Sequence, residues 1–358
     1  MITNAPLEAL PAPLLAWFRQ SHRDLPWRRT NDPYPIWVSE IMLQQTRVAA
    51  VLGYYARFLA AFPRVEDLAA APEDLLMKQW EGLGYYSRAR NLQKAAKQIV
   101  ENGGFPQDYD GLLSLPGVGD YTASAIASAA FGLREAAVDG NALRVVMRLT
   151  DCREDIADPK TKKAVRAQLQ AVMPTAPEDC RIFNQAVMEL GATVCATNSP
   201  PACDRCPAAE FCLARQRGTA ETLPVKAKKK PRRVEEQTVF LFIREGKVAL
   251  RRRPKTGLLA GLWEFPNVEN TLDEQEAAQV AAHWGLTVTE WNNRLTAKHI
   301  FTHVEWHMTG YTVAVTGPGP SAFDWVDAAG LTAHAVPSAF ARYYEEAAQR
   351  LSAEEEEA

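Results

Sequence analysis

The sequence predicts two domains of different class, an all-α N-terminal domain followed by a smaller α+β domain. Apolar residues recur at helical spacing from residue 7 to about 195, in segments such as LEALPAPLLAWFRQ and TASAIASAAFG. Beyond residue 235 the apolar period shortens to two, in QTVFLFIR and GYTVAVT, while two other segments keep helical spacing. With 358 residues, 47% of them hydrophobic, the chain is long enough to bury a core in each domain.

Changes in composition give the domain boundaries. We expect a helical domain over residues 1–217, an exposed basic linker over 218–234, the α+β domain over 235–349 and an acidic tail over 350–358. The first residues lack a signal pattern and no apolar run approaches membrane-spanning length, so we expect a cytoplasmic monomer without a membrane partner. The net charge of -3 averages over the domains and does not exclude a nucleic-acid ligand.

Four cysteines fall close together as C-x7-C-x2-C-x5-C, namely Cys195, Cys203, Cys206 and Cys212. Since the chain shows no secretion signal, disulfides are disfavoured and the four thiolates predict one metal centre. Tetrahedral zinc is one reading of such a set. The wide, uneven spacing after a helical domain favours an iron–sulfur cluster instead.

The segment LLSLPGVGDYTASAIASAAFG, residues 112–132, places Gly117 and Gly119 in a turn between two helices. Glycines let the backbone approach a ligand closely and direct amide groups at the start of the next helix, which suits a phosphate. A plain joint between two helices explains a bare G-x-G equally well. The longer motifs around it decide between these readings.

The run LPGVGDYTA, the later VDGNALRV and the cysteine set resemble the helix-hairpin-helix DNA glycosylases of the endonuclease III superfamily. Within that group, WVSEIMLQQTRV (37–48) and WEGLGYYSRARNL (80–92) resemble the adenine DNA glycosylases. The resemblance is close over about residues 14–212. It implies a helix-hairpin-helix domain with a [4Fe–4S] cluster bound in the loop 195–212, although this chain has seven residues between the first two cysteines where the family has six.

The resemblance implies removal of adenine paired with 8-oxoguanine or G in duplex DNA, by base flipping and acid-assisted hydrolysis. Such chemistry needs an acid to protonate the base and a carboxylate to face the sugar cation, the roles that Glu40 and Asp139 take by family position. Burial should raise the pKa of Glu40, and amide donors at a helix start should keep Asp139 ionised. Tyr121 and Asn141 match supporting residues of the family, and Glu189 matches more weakly.

The same resemblance gives the DNA contacts. Tyr85 matches an intercalating tyrosine, Gln44 and Gln45 match a pair that enters the base stack, and Arg88 is suited to a phosphate. The whole set of DNA and lesion contacts is Gln44, Gln45, Thr46, Leu83, Tyr85, Arg88, Gly117, Gly119, Phe301, Thr302 and His303.

The C-terminal domain resembles the Nudix-like domain of this family. Gln279, Ala282 and His283 stand where a Nudix hydrolase has metal-binding acids, so we expect no hydrolysis there. HIFTHVEW (299–306) matches the family's F-S-H loop, which contacts the damaged guanine, with Thr302 in place of serine. A replication clamp is a candidate partner of the linker.

Three alternatives stay open at this point. Bifunctional relatives carry a Schiff-base lysine at the position of Tyr121, so the tyrosine disfavours an endonuclease III-like glycosylase/lyase for oxidised pyrimidines. A mismatch thymine glycosylase shares the tyrosine but is not expected to carry Glu40. A non-catalytic DNA-binding relative is disfavoured because both acids are retained.

Overall fold

The computed structural model describes residues 5–197, 199–227 and 231–357. Two compact units make up this chain. The first contains the described residues within 1–70 and 90–228, and the second contains those within 71–89 and 229–358. In the described chain, no helix combines the length and the apolar character needed to traverse a membrane.

Helices alone form the regular structure of the N-terminal part of the described chain. They are α1 (Ala5–Glu8), α2 (Pro11–Ser21), α3 (Pro33–Leu43), α4 (Val48–Ala61), α5 (Val65–Ala70), α6 (Glu73–Trp80), α7 (Ser87–Glu101), α8 (Tyr109–Leu113), α9 (Asp120–Phe131), α10 (Gly140–Leu149), α11 (Pro159–Val172), α12 (Pro177–Thr193) and α13 (Leu213–Gln216).

Helix α9 is the centre of the first unit. Its run of Ala and Ser residues is buried on every side, and small side chains allow α3 and α12 to pack directly against it. The helix ends at Gly132, whose left-handed backbone (φ +70°) closes the last turn. This packing brings the start of α9 close to residues of α3 and α12 that face the same cleft.

The first half of the predicted linker is packed against the helical unit. Leu223 is 2% exposed, and its carbonyl accepts a hydrogen bond from Arg148 Nε at 2.9 Å. The amide of Ile156 donates to the carbonyl of Val225 at 3.1 Å. This differs from the exposed linker expected over 218–234, because an apolar leucine within a basic stretch finds a place in the core. Residues 228–230 of that linker lie outside the described residues.

The second unit is built on a mixed sheet with helices on both faces. Its elements are β1 (Arg233–Arg244), β2 (Lys247–Arg252), β3 (Trp263–Glu264), β4 (Asn267–Glu269), α14 (Glu274–His283), β5 (Thr287–Ile300), β6 (Val304–Thr316), β7 (Phe323–Val326), α15 (Ala328–Ala333) and α16 (Ala341–Glu357). The segment predicted as an acidic tail continues α16 to Glu357, and residue 358 lies outside the described chain.

Strand order in the sheet is β3-β2-β1-β6-β5, with β4 paired to β1 and β7 paired to β2. Strands β1 and β6 are parallel, and the other pairs are antiparallel. Alternate residues of β1 enter two cores. Val239, Leu241 and Ile243 pack with α16, whereas Phe240 and Phe242 pack with α14.

Candidate active site

A cleft of about 1060 Å³ in the helical unit brings the predicted catalytic residues together. Glu40 comes from α3, Tyr121 from the first turn of α9, and Asp139 from the residue before α10. Helix α3 begins after Asp32, whose side chain caps the amide of Tyr34 at 2.9 Å. Most of its other side chains are buried. The local fold therefore holds Glu40 at a fixed place in the wall of the cleft.

Glu40 has the environment of a group that stays protonated near neutral pH. Burial raises its pKa to about 7, and the negative charge of Asp139 acts in the same direction. The hydroxyl of Tyr121 donates a hydrogen bond to Glu40 Oε2 at 2.8 Å, which lowers the pKa but does not cancel the effect of burial. A carboxyl group with this pKa can act as a general acid.

Asp139 caps the start of α10. Its Oδ1 accepts from the amide of Ala142 at 2.7 Å, and its Oδ2 accepts from Asn141 Nδ2 at 2.7 Å. The donors expected from the sequence are thus present. Burial nevertheless outweighs them, so that the pKa of Asp139 is raised from its usual range. This direction differs from the expectation that the helix start alone would favour the ionised form.

Asn141 links this acid to the cysteine loop. Its Oδ1 accepts from Arg144 Nη2 at 2.7 Å, and Arg144 Nε donates to the carbonyl of Cys195 at 2.8 Å. The Cβ of Asn141 packs so close to Gly191 of α12 that an added Cβ on Gly191 would lie 2.6 Å from it. The side chain of Asn141 is therefore fixed from two sides.

Glu189 is held by two arginines that the sequence analysis missed. Arg23 donates to both carboxylate oxygens of Glu189 at 2.8 and 2.7 Å, and Arg28 Nη2 donates to Oε2 at 2.9 Å. Burial opposes ionisation of Glu189, but these hydrogen bonds outweigh it and hold its pKa at about 2. The two arginines stand in the segment HRDLPWRR before α3, and this cluster of cations was the available signal.

The glutamine pair and the hairpin lie on the same helical unit. Gln44, Gln45, Thr46 and Gly119 line the cleft, and Gln44 Nε2 donates to Thr122 Oγ1 at 3.3 Å. Gln45 has a left-handed backbone with φ +61°, an uncommon state for a residue with a side chain.

Gly117 meets both conditions that require glycine. Its φ is +78°, and an added Cβ would lie 2.7 Å from the Cβ of Asn91. Gly119 precedes the first residue of α9, and an added Cβ there would meet open space. The hairpin turn is thus constrained at its first glycine and open at its second.

The loop between α6 and α7 presents Tyr85. Gly82, Gly84 and Tyr85 all have positive φ, at +92°, +69° and +48°, and Tyr85 is 45% exposed. Leu83, predicted to contact DNA, is instead buried. The loop therefore exposes a single aromatic side chain at a strained backbone position.

Arg88 does not occupy the position predicted for a phosphate contact. It is buried, its Nη2 donates to the carbonyls of Leu83 and Gly84 at 3.1 Å each, and its guanidinium lies over the rings of Trp80 and Tyr85. Burial lowers the pKa of Arg88 to about 10. The left-handed loop turns these carbonyls inward, and Arg88 satisfies them.

The turn between β5 and β6 presents the residues predicted to read the lesion. Strand pairing ends with Ile300 opposite Glu305, so Phe301, Thr302 and His303 form the turn. Thr302 and His303 are exposed, whereas Phe301 packs edge-on against Trp306 at 4.8 Å. Within the same unit, Thr302 Oγ1 and the hydroxyl of Tyr85 share a hydrogen bond of 2.6 Å.

The four cysteines of the predicted metal centre line one cavity of the helical unit. Arg148 Nη1 donates to Cys195 Sγ at 3.3 Å and to the carbonyl of Cys195 at 3.1 Å. Among the residues that the structure describes, no three Cys, His, Asp or Glu side chains converge as they would around a single metal ion. Residue 198 of this loop lies outside the described chain.

Two family models match the chain. The model described as HhH-GPD superfamily base excision DNA repair protein matches residues 38–175, and the NUDIX domain model matches residues 238–346. These matches confirm the predicted fold class.

Solved structures are similar to the helical unit. The structure of a thermostable thymine-DNA glycosylase matches with a TM-score of 0.53 and 29% identity, covering 61% of this chain and 100% of that one. A trapped endonuclease III–DNA covalent intermediate matches with a TM-score of 0.52 and 28% identity, covering 61% and 99%. Each match therefore includes nearly the whole of the other chain and less than two thirds of this one.

Curated relatives extend over both units. Adenine DNA glycosylase of Homo sapiens is 37% identical over 383 residues, covering 88% of this chain and 69% of the relative. The enzyme of Rattus norvegicus is 38% identical and covers 86% and 71%, and that of Buchnera aphidicola subsp. Baizongia pistaciae is 34% identical and covers 71% and 72%. The chain, with its paired acids in one cleft, therefore belongs to the adenine DNA glycosylase family and is a DNA glycosylase of base excision repair.

Proposed function

We propose that the enzyme removes adenine mispaired with 8-oxoguanine, or with G, from duplex DNA and leaves the abasic strand uncut. The observation that carries this proposal is the contact of Glu40 with Tyr121. A carboxyl group with a pKa of about 7 is paired with a hydroxyl in the cleft that also contains Asp139. A phenol cannot form the Schiff base that a strand-cutting glycosylase needs.

In this mechanism Glu40 donates its proton to N7 of the flipped adenine. The electron pair of the N-glycosidic bond then moves onto the protonated base, which leaves as neutral adenine, and positive charge grows on the deoxyribose. The carboxylate of Asp139 faces this charge. Water adds at C1′, and the proton that it releases returns the acid to its starting state.

The supporting residues favour different protonation states for the two acids. Tyr121 fixes the orientation of Glu40 through its O–H donor, while Asn141 and the amide of Ala142 donate to the two oxygens of Asp139. These donors favour the ionised form of Asp139 against the cost of burial. One acid protonated and one ionised is the arrangement that the reaction requires.

Duplex DNA must be opened for the base to enter the cleft. Gln45 and Tyr85 both hold strained left-handed backbones, and such strain concentrates at sites that work on a ligand. We assign them to the stack that the flipped adenine leaves. Thr302 and His303 supply exposed polar groups that suit the oxidised edge of the opposite guanine.

The four cysteines of this cavity suit a [4Fe–4S] cluster. They line one cavity of the helical unit, and their wide, uneven spacing along the chain favours a cluster over a tetrahedral zinc ion. Cys195, Cys203, Cys206 and Cys212 would hold it, and Arg148 at Cys195 would offset its negative charge. These cysteines would order the loop when they hold the cluster, and bond cleavage would need only the residues of the cleft. Purified protein should contain about four irons and four sulfides per chain, whereas one zinc without iron would contradict the assignment.

The test of the proposed reaction uses duplexes with A opposite 8-oxoguanine, thymine glycol, or a T:G mismatch. Free base is measured by chromatography, and strand breaks are measured before and after alkali. We expect adenine release and an alkali-dependent break on the first duplex only. Glu40→Gln should bind this duplex and release no adenine, with the exposed acid Glu66→Gln as the matched control. Strand breaks before alkali would contradict the proposal.

A further inference from the structure

We propose that helix α6 is a clasp that fixes the Tyr85 loop to the lesion-reading turn, and that Glu81 is its positioning residue for lesion selectivity. Residues 71–89 form one compact unit with the C-terminal domain. The inference rests on the proposed reading of 8-oxoguanine by Thr302 and His303, because it concerns how a preference for that lesion over G is set.

The clasp is made by Lys78 of α6 and by Glu81, the residue directly after α6, which both bind backbone groups far along the chain. Glu81 Oε1 accepts a hydrogen bond from the amide of Val336 at 2.9 Å. Lys78 Nζ donates to the carbonyl of His334 at 3.3 Å and also pairs with Glu81 Oε2 at 2.6 Å. Both backbone groups lie in the short segment that follows α15. Glu81, with 24% of its side chain exposed, is partly shielded from water, so its contact with a backbone amide is worth more than a surface ion pair.

A second contact lies at the other end of α6. Asp74 pairs with Arg252 at 2.7 Å, and the Arg252 guanidinium lies 5.6 Å from the ring of Trp263. The Trp263 ring packs edge-on against the ring of His334 at 4.4 Å. His334 is also the residue whose carbonyl accepts a hydrogen bond from Lys78. The Asp74–Arg252 ion pair is mostly exposed and weak by itself, so the contacts of Glu81 and Lys78 contribute most to attaching α6 to the C-terminal domain.

Hydrogen bonds connect the end of α6 to the loop that contains Tyr85. Trp80, its last residue, donates from Nε1 to the carbonyl of Gly84 at 3.1 Å, and Arg88 donates to the carbonyls of Leu83 and Gly84. The loop is therefore bound rigidly to the end of the helix. At its tip, Tyr85 reaches Thr302 through the hydrogen bond of 2.6 Å. Loosening Glu81 should let the tyrosine and the threonine separate, while the acids of the cleft are unchanged.

The experiment uses the full-length variant Glu81→Ala. Single-turnover adenine release is measured on duplexes with A opposite 8-oxoguanine and A opposite G, and hydrogen exchange is measured on the peptide that contains Val336. We expect the preference for 8-oxoguanine to fall by about fivefold, with release opposite G changed by less than about twofold, as for loss of one partly buried hydrogen bond. Exchange at Val336 should become faster. Glu345→Ala, which removes an exposed acid of α16, should change none of these.

Four further variants distinguish loss of the clasp from a general folding defect. Glu81→Gln keeps an amide oxygen as acceptor and should retain most of the preference. Asp74→Arg and Arg252→Asp should each weaken the preference, and the double variant should restore it. An unchanged preference in Glu81→Ala despite faster exchange at Val336, or an equal loss on both duplexes, would overturn the clasp. A wild-type enzyme without any preference would instead contradict the proposed reading of 8-oxoguanine by Thr302 and His303, and exchange at Val336 would still test the contact.

Discussion

Replacing Glu40 by glutamine should abolish base release and, at the same time, stabilise the protein at alkaline pH. Folding buries this carboxyl group and raises its pKa from 4.5 to about 7. Below the unfolded value the group is neutral in both states and costs nothing. Between these two values the unfolded chain has already lost the proton that the native state keeps, so the free energy of unfolding declines by about 3 kcal/mol in total and levels off above about pH 7.

Glutamine has nearly the same shape and no charge to bury, so the variant should not show this decline. Part of the decline has already occurred at weakly acidic pH, where the unfolded carboxyl group is ionised. The advantage of Glu40→Gln over wild type should therefore grow by about 2 kcal/mol between about pH 5.5 and about pH 8.5. Urea unfolding followed by tryptophan fluorescence measures this change, and it corresponds to a midpoint shift of roughly 1 M.

Glu66→Gln is the control, since Glu66 is an exposed acid of α5 in the same unit. Its unfolding midpoint should follow the wild-type pH dependence. If Glu40→Gln also followed the wild-type pH dependence, then Glu40 would not be a buried acid with a raised pKa, and the reasoning for its catalytic role would lose its basis.

Three further predictions concern neighbouring groups. Tyr121→Phe removes the donor that lowers the pKa of Glu40, so the alkaline limb of the single-turnover pH profile should move above 7, and a downward move would contradict this. Glu189→Gln leaves two arginines without their carboxylate and should destabilise the protein by about 3 kcal/mol in urea unfolding at neutral pH. Because the pKa of Glu189 in the wild-type protein is about 2, the difference in stability between wild type and variant should shrink as pH falls toward 2. Gly117→Ala, which strains a backbone at φ +78° and adds a Cβ within 2.7 Å of a neighbour, should cost about 2 kcal/mol, whereas Gly119→Ala should cost less than half of that.

The local structure around Glu40 and Asp139 was predictable from the sequence because each acid lies in a long motif. The apolar residues around Glu40 in WVSEIMLQQTRV indicated partial burial, and the NALRV segment after Asp139 predicted the helix that it caps. The raised pKa of Asp139 was not predictable, because it depends on how deeply other helices bury the residue. The local sequence indicates which groups donate hydrogen bonds to a carboxylate, whereas the desolvation of that carboxylate depends on how the helices pack.

Arg88 shows a second limit of sequence reasoning. A cation beside exposed aromatics suggests a phosphate ligand, but three positive-φ residues within residues 82–85 turn carbonyls into the loop, and Arg88 binds them. Leu223 is a similar case, since the composition of its segment is that of a linker and the single leucine packs in the core. In both cases one side chain settles in a place that the surrounding composition does not indicate.

The most direct test of the central claim, that Glu40 protonates the departing adenine, is the pH dependence of single-turnover adenine release from a duplex with A opposite 8-oxoguanine. The account predicts a rate that falls by about tenfold for each pH unit above the pKa of about 7. Alkali should be needed to break the product strand at every pH. A rate that stays constant or rises up to about pH 9 would contradict a protonated Glu40 as the acid.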